Sequence, residues 1–562
     1  MTQGTGSNRR PRSSRQILAL GVVLLAVIGA AVFGFSVWER ARETPTTALG
    51  PPHFVDETEA SGLAQTYGGS STFAVGGGVA VFDCNGDGKP EIYLAGGGEP
   101  AALYRNDSPV GGKLRVTQVR DPATDVSGVN GAYPLDIDGD GNADLVLLRT
   151  GENVLLRGLG DCRFERANEA WGFDGGTGQT TAFSATWEGP GLPTMAFGNY
   201  LKLDANGESG LECDQSSLVR PDSTGTRFAA AVPLEPGFCT LSMLFSDWDR
   251  SGRRDLRVTN DRHYYADGQD QLWRVAAGEA PRLYGAADGW VSMQIFGMGI
   301  ASYDVTGDGY PDLYLTSIGD NKLQTLTSGP GQPTYRDIAL KRGVLAFQPF
   351  TGGDERPSTA WHPEFADVNN DGFIDLFVSK GNIEEVPENA TKDPSNLFIG
   401  QADGMFVEGA EAAGIVDMAR SRGAALADFN LDGLLDLVAV DFREPVRLWR
   451  NVGTGDAGAP GPLGHWLALK LRQPGSNRDA IGSWIEVKVG DVTLRREVTA
   501  GGGHIGGQLS WIHFGLGPAS RAHVRVQWPD GEIGPWIDVA ANGFDLIDRD
   551  ATAAEPWVPL GP

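Results

Sequence analysis

An acidic loop of nine residues recurs along the chain, and a repeat of this kind restricts the fold more than any other feature of the sequence. It reads DCNGDGKPE over Asp83 to Glu91, DIDGDGNAD over Asp136 to Asp144 and DVTGDGYPD over Asp304 to Asp312. It returns as DVNNDGFID over Asp367 to Asp375 and DFNLDGLLD over Asp428 to Asp436, with a weaker copy, DWDRSGRRD, over Asp247 to Asp255. Small or apolar residues precede each copy and a β-prone run such as Ile92-Tyr93-Leu94 or Leu376-Phe377-Val378 follows, so each loop is expected to join two strands. The interval is about 50 to 63 residues, doubled only between Asp136 and Asp247. Inside that gap, Trp187 to Pro193 (WEGPGLP) followed by Thr194-Met195-Ala196-Phe197 reads as a unit that kept its hairpin and lost its acids. An aromatic residue with glycine eight positions later, at Phe54/Gly62, Phe164/Gly172, Tyr335/Gly343 and Phe406/Gly414, marks the same units.

Seven β-units result. At roughly four strands per unit they match the blades of a β-propeller, which protects strand edges by closing on itself. The 79 glycines without a Gly-X-Y period agree with many turns and an all-β fold. Because the Phe54 element precedes the first acidic loop, the N-terminal strand is expected to complete the last blade.

Oxygen side chains at loop positions 1, 3 and 5, glycine at 6 and a carboxylate at 9 gather hard ligands around one point, the donor set that Ca²⁺ prefers. The expected ligands are Asp83, Asn85, Asp87 and Glu91; Asp136, Asp138, Asp140 and Asp144; Asp304, Thr306, Asp308 and Asp312; Asp367, Asn369, Asp371 and Asp375; and Asp428, Asn430, Asp432 and Asp436. In the sixth copy Asp247, Asp249, Ser251 and Asp255 compete with Arg250, Arg253 and Arg254, which should weaken a cation. About five or six structural Ca²⁺ ions are implied. An EF-hand is excluded because position 12, where it carries a bidentate glutamate, is Leu94, Leu147, Leu315, Val378 or Ala439. The rival explanation is that Asp-, Asn- and Gly-rich loops are ordinary turns; the acid repeated at position 9 argues against it.

The repeat resembles the FG-GAP and VCBS repeats of integrin α-type propellers. That resemblance implies loops whose Ca²⁺ rigidifies each blade while partners bind a propeller face; Glu91 departs from the usual aspartate, which implies a shifted or softer site there.

Val452 to Leu463 (VGTGDAGAPGPL) is a Gly/Pro-rich boundary. Alternation at Leu467, Leu469 and Leu471, at Ile485, Val487 and Val489, and at Val524 and Val526 suggests a small β-sandwich over 463–549, with 550–562 as a tail. Ser476 to Gly482 (SNRDAIG), His513 to Gly517 (HFGLG) and Trp528 to Gly531 (WPDG) resemble an ASPIC and UnbV domain, which in proteins of the cartilage acidic protein-like family follows FG-GAP repeats. No activity is implied for individual residues. His465, His504, His513 and His523 lack the short spacing of a metal pair and are expected to pack or face solvent; Trp466, Trp484, Trp511, Trp528 and Trp536 are expected in core or interface packing, with stacking on sugars as the alternative.

Arg9, Arg10, Arg12 and Arg15 precede an uncharged apolar stretch from Ile17 to Trp38, long enough to cross a bilayer. The charge bias assigns 1–15 to the cytoplasm, a membrane anchor to 16–38, a linker to 39–52 and an exported propeller to 53–455. Cleavage near Gly29-Ala30-Ala31 is the alternative, giving a secreted protein. Export permits disulfides. Cys213 and Cys239, bracketing an insertion between the third and fourth units, are the first pair, and Cys84 with Cys162 the second. A formal charge of -26 excludes nucleic acid as the main partner. Nucleophile-elbow, phosphate-loop, dinucleotide and zincin motifs are absent. The expected function is therefore a non-enzymatic, calcium-binding surface or adhesion module for an extracellular protein or glycan. The alternative is an exported carbohydrate-active hydrolase or lyase with its site on the propeller axis.

Overall fold

The computed structural model describes residues 1–2, 48–261, 269–384, 386–455, 461 and 463–559. The anchor expected over 16–38 lies outside these residues; among the described ones no helix is long and apolar enough to cross a membrane. The chain is all-β, with helices of one turn.

Every acidic loop joins the first two strands of an antiparallel sheet. The first strands are Val79–Phe82, Val129–Leu135, Thr240–Ser246, Ile300–Tyr303, Ala360–Ala366 and Ser421–Ala427, and each ends one residue before its loop. The second strands are Glu91–Leu94, Asp144–Arg149, Asp255–Asn260, Asp312–Leu315, Asp375–Lys380 and Asp436–Asp441, and each begins on the position-9 acid. Thr180–Thr186 and Thr194–Asn199 form the same hairpin around the acid-free Trp187 loop. Two further antiparallel strands complete each of these sheets in chain order. In the last sheet the outer position is taken by Phe54–Asp56, paired with Arg447–Asn451 from the far end of the chain.

First strands are almost wholly buried, which their apolar and small residues permit on both faces. Each touches the first strand of the next sheet, and the seventh touches the first, so these contacts run in a closed circuit. The aromatic–glycine element is also explained. Phe164 opens the fourth strand of its sheet, the turn of helix Asn168–Trp171 follows, and Gly172 caps it at φ 66, a left-handed conformation that suits glycine.

Residues 463–559 form two four-stranded sheets around their own core of Leu467, Leu469, Ile485, Val487, Phe514 and Val524. The domain runs beyond the expected boundary at 549. Glu555–Trp557 is an edge strand on Gly543–Asp548, a position where the proline of EPW removes no ladder bond. The expected linker also ends earlier than 52, since Leu49 donates to Asp371 Oδ2 at 2.6 Å.

Disulfides join Cys84 to Cys162 and Cys213 to Cys239. The second does not bracket an insertion between units. The hairpin Leu201–Leu203 and Ser209–Cys213 lies inside the third unit, ahead of that sheet's remaining strands Ser216–Val219 and Val232–Leu234.

Candidate metal centre

All six acidic loops share one backbone trace. Position 4 is left-handed in each, whether glycine or not: Arg250, Asn370 and Leu431 adopt φ of 57, 60 and 55. Position 6 is a left-handed glycine throughout. The position-1 aspartate explains this folding, because one of its oxygens accepts the position-6 N–H at 2.7–3.0 Å in every copy. The position-5 aspartate accepts the N–H two residues on in the five stronger copies. In the copies at Asp83, Asp136, Asp367 and Asp428 the second oxygen of the position-1 aspartate also accepts a loop N–H.

Position 9 does more than was expected of it. Expected as a cation ligand, it is a backbone clamp in the structure. Glu91, Asp144, Asp375 and Asp436 accept the position-2 N–H at 2.7–3.1 Å. Asp144, Asp375 and Asp436 also accept an N–H of the third strand, from Gly158, Gly400 and Asn451. These bonds hold the hairpin to its neighbour, so the acid has a reason to be there with or without a cation.

Other observations bear on whether a cation fits. Asp304 Oδ1 and Thr306 Oγ1, at positions 1 and 3 of one loop, are buried without a hydrogen-bond partner among the described residues, as are Asp247 Oδ1 and Asn430 Oδ1. One oxygen from each of Asp136, Asp138 and Asp144 can lie within 4.8 Å of the others. Burial pushes the Asp144 carboxyl up to about 8, Asp312 to about 7 and Glu91 to about 9. Asp367, Asp375, Asp428 and Asp436 are raised well above the usual range by burial and by each other's charge or that of Asp371 and Asp432. A divalent cation would reverse that penalty and satisfy the orphaned oxygens, so the donor set fits Ca²⁺. The Asp247 copy fits less well. Arg253 grips both oxygens of Asp255 at 2.9 and 3.1 Å, while Trp248 and Tyr284 occupy the same carboxylate. Cys84 and Cys162, which flank Glu91, are committed to their disulfide and are not ligands.

The C-terminal domain sits on the face that carries these loops. Lys470 Nζ lies 3.6 Å from Asp83, Arg478 Nε 4.0 Å from Asp136, and Arg495 donates to Asp304 at 3.3 Å. Glu497 accepts from Ser246 and from the Asp247 N–H, and His513 lies 2.6 Å from Asn370 Oδ1. Burial holds His504 and His513 at about 3, hence neutral.

The same domain sends a glycine-rich segment, Ala500 to Leu509, into the space ringed by the first strands. Ala500–Gly501 pairs with Ser184 and Ala185, and Gln508–Leu509 pairs in parallel with Val81 and Phe82. Gly502 and Gly503 donate to Met243 and Ile300 oxygens, Tyr133 donates to Gly502, and the His504 N–H meets His362 Nδ1 at 3.1 Å. Gly423 completes the circuit beside His504. All seven sheets touch this segment. Its run of glycines was visible in the sequence, but nothing local linked TAGGGHIGG to partners up to several hundred residues away.

Comparison with known proteins bears on the same regions. An ASPIC and UnbV family model matches residues 473–553, and an FG-GAP-like repeat model matches 83–147 and 304–378. Cartilage acidic protein 1 of Xenopus tropicalis is 22% identical over 495 residues, covering 81% of this chain and 70% of that protein. The Homo sapiens protein of that name is 23% identical over 496 residues, covering 81% and 69%. Among solved structures, BBS1N in complex with ARL6DN aligns at a TM-score of 0.41 with 10% identity, over 72% of this chain and 98% of that one. The SapL1 lectin in complex with alpha methyl fucoside aligns at 0.33 with 11% identity, over 60% and 98%.

Proposed function

We propose that this chain, which carries FG-GAP-like repeats followed by an ASPIC and UnbV domain, is an exported, calcium-stabilised seven-bladed β-propeller that binds a protein or glycan partner. Residues 16–38 anchor it in the membrane. The closed circuit of first-strand contacts supports the propeller.

The observation that carries the functional reading is the filled ring. Ala500 to Leu509 fills the space ringed by the first strands, and the C-terminal domain covers the acidic loops against a macromolecular partner. The available surface is then the opposite face, built from connections between second and third strands and between successive sheets. Leu211, Val291, Phe347 and Met418 are exposed on those connections, at 86%, 74%, 47% and 38%. Exposed apolar side chains on these connections favour a protein partner there.

Calcium is tested by melting the protein in EDTA and in excess Ca²⁺. The expected outcome is a clear drop in melting temperature in EDTA, restored by Ca²⁺; coincident curves would remove the cation from the proposal. The face is tested by substituting Val291 and Phe347 with serine and measuring partner capture from the extracellular fraction, which should fall without a change in melting temperature.

A further inference from the structure

The C-terminal domain touches the loop face mainly through its rim, and a cleft of about 560 Å³ remains between the two. Its floor is the Ala500–Leu509 segment and the first strands of the fifth and sixth sheets. Its sides are the loops beginning at Asp83 and Asp136 and the strand ends near Lys470 and Arg496. This size and a position between domains are usual for small-ligand sites.

Charge and hydrogen bonding are balanced differently within it. Arg496 has Glu364 as a nearby opposite charge, and Asp479 has Lys470 and Arg478, although burial outweighs that attraction at both. Neither is compensated in hydrogen bonds. Among the described residues the Arg496 guanidinium, with five N–H donors, donates to nothing, and the Asp479 carboxylate accepts from nothing. Glu364 is already engaged, by Gln508 Nε2 at 2.7 Å and the Leu426 N–H at 3.1 Å. Trp511 borders the cleft with Lys470 Nζ 4.7 Å from its ring.

A strongly anionic ligand would face Asp479 and Glu364, and a cationic one would face Lys470, Arg478 and Arg496. A neutral ligand with several hydroxyls meets neither obstacle. Its oxygens can accept from Arg496 while its O–H groups donate to Asp479. We infer that the cleft between the two domains is a binding site for a small neutral saccharide. The site lies away from the partner face and does not rest on that assignment.

The test uses the full chain in Ca²⁺ buffer with the methyl glycosides of glucose, galactose, mannose, N-acetylglucosamine and glucuronate. Binding is followed by tryptophan fluorescence and saturation-transfer NMR. At least one neutral glycoside should bind, and Arg496→Met and Asp479→Asn should each weaken it by roughly tenfold or more. Should a variant fail to fold, hydrogen exchange on the unsubstituted chain decides: bound saccharide should slow exchange along Val492–Glu497. No binding at millimolar concentration, binding by glucuronate alone, unchanged affinity in both folded variants, or protection elsewhere with Val492–Glu497 unaffected would each overturn the assignment.

Discussion

The position-9 acids show how one residue serves two purposes. Asp144 clamps Ile137 and Gly158 through backbone N–H groups, yet burial lifts its carboxyl from 3.8 to about 8, and Asp312 reaches about 7. A raised acid holds its proton more tightly in the folded chain than in the unfolded one. Stability of the metal-free protein should therefore fall as pH rises from the unfolded value near 4 toward the folded value near 8. Calcium bound at the carboxylate would invert the sign, and its stabilisation should fade as pH falls through the same window. Calorimetry in EDTA between about pH 5 and pH 8 should give a melting temperature that declines with pH, while in Ca²⁺ it stays level or climbs; a climb in EDTA would remove this exchange of proton for cation. A second residue-scale test concerns close approach. A Cβ on Gly131 would lie 1.9 Å from the Ile505 oxygen and 2.1 Å from Ile505 Cγ2. Gly131→Ala should cost about 1–3 kcal/mol in urea unfolding, and a neutral result would mean that the segment is not seated against that strand.

Among the elements, the strand Phe54–Asp56 has the most leverage, since it pairs the N-terminal end of the repeats with Arg447–Asn451. Its role was legible because the aromatic–glycine spacing of Phe54 and Gly62 repeats at Phe164, Tyr335 and Phe406, and the same one-turn helix follows each. The Trp187 hairpin was legible for a similar reason: strand signals persisted after the acids were lost. Other elements left no such trace. Glu555–Trp557 carries no alternation, so nothing distinguished it from a tail. The segment between Cys213 and Cys239 looked like an insertion between units because its strands Ser216–Val219 and Val232–Leu234 are short and irregularly spaced. Deleting residues 49–57 should leave Arg447–Asn451 as an open edge and release the Glu57–Arg450 ion pair, which is 3.1 Å long and buried. Loss of the folded monomer by size-exclusion chromatography, with aggregation, is the expected outcome; a monomer melting normally would show that closure does not depend on this strand.

At the scale of the whole molecule, the two domains behave as one structure rather than a repeat array with an appendage. A formal charge of -26 is concentrated partly in loops that face the C-terminal domain, and Lys470, Arg478 and Arg495 of that domain approach the position-1 aspartates of three of them. The ring is held in the same way. Gly507 accepts from the Val81 N–H, and Gly502 and Gly503 donate to Met243 and Ile300. Without the segment those groups would line a narrow passage whose walls were shaped around glycine, with nothing but water to satisfy them. The sequence separated the two regions cleanly at the Gly/Pro-rich boundary, which is correct for the chain and misleading for the energetics. A chain ending at residue 455 loses the axial bonds, the basic side chains Lys470, Arg478 and Arg495 at the loops and the cover over Asp367, where Gly515 packs against the carboxylate. Several bonds worth about 1 kcal/mol each are removed together, so the truncated chain should melt on the order of ten degrees lower. It should also need less Ca²⁺ for half-maximal stabilisation, because Lys470, Arg478 and Arg495 no longer compete with the ion for the position-1 aspartates. Supplying residues 463–562 as a separate chain provides the control: if the domain acts through docking, the mixture should recover part of the melting temperature. A truncated chain with an unchanged melting temperature and calcium midpoint would show that the repeats close and bind cations without it.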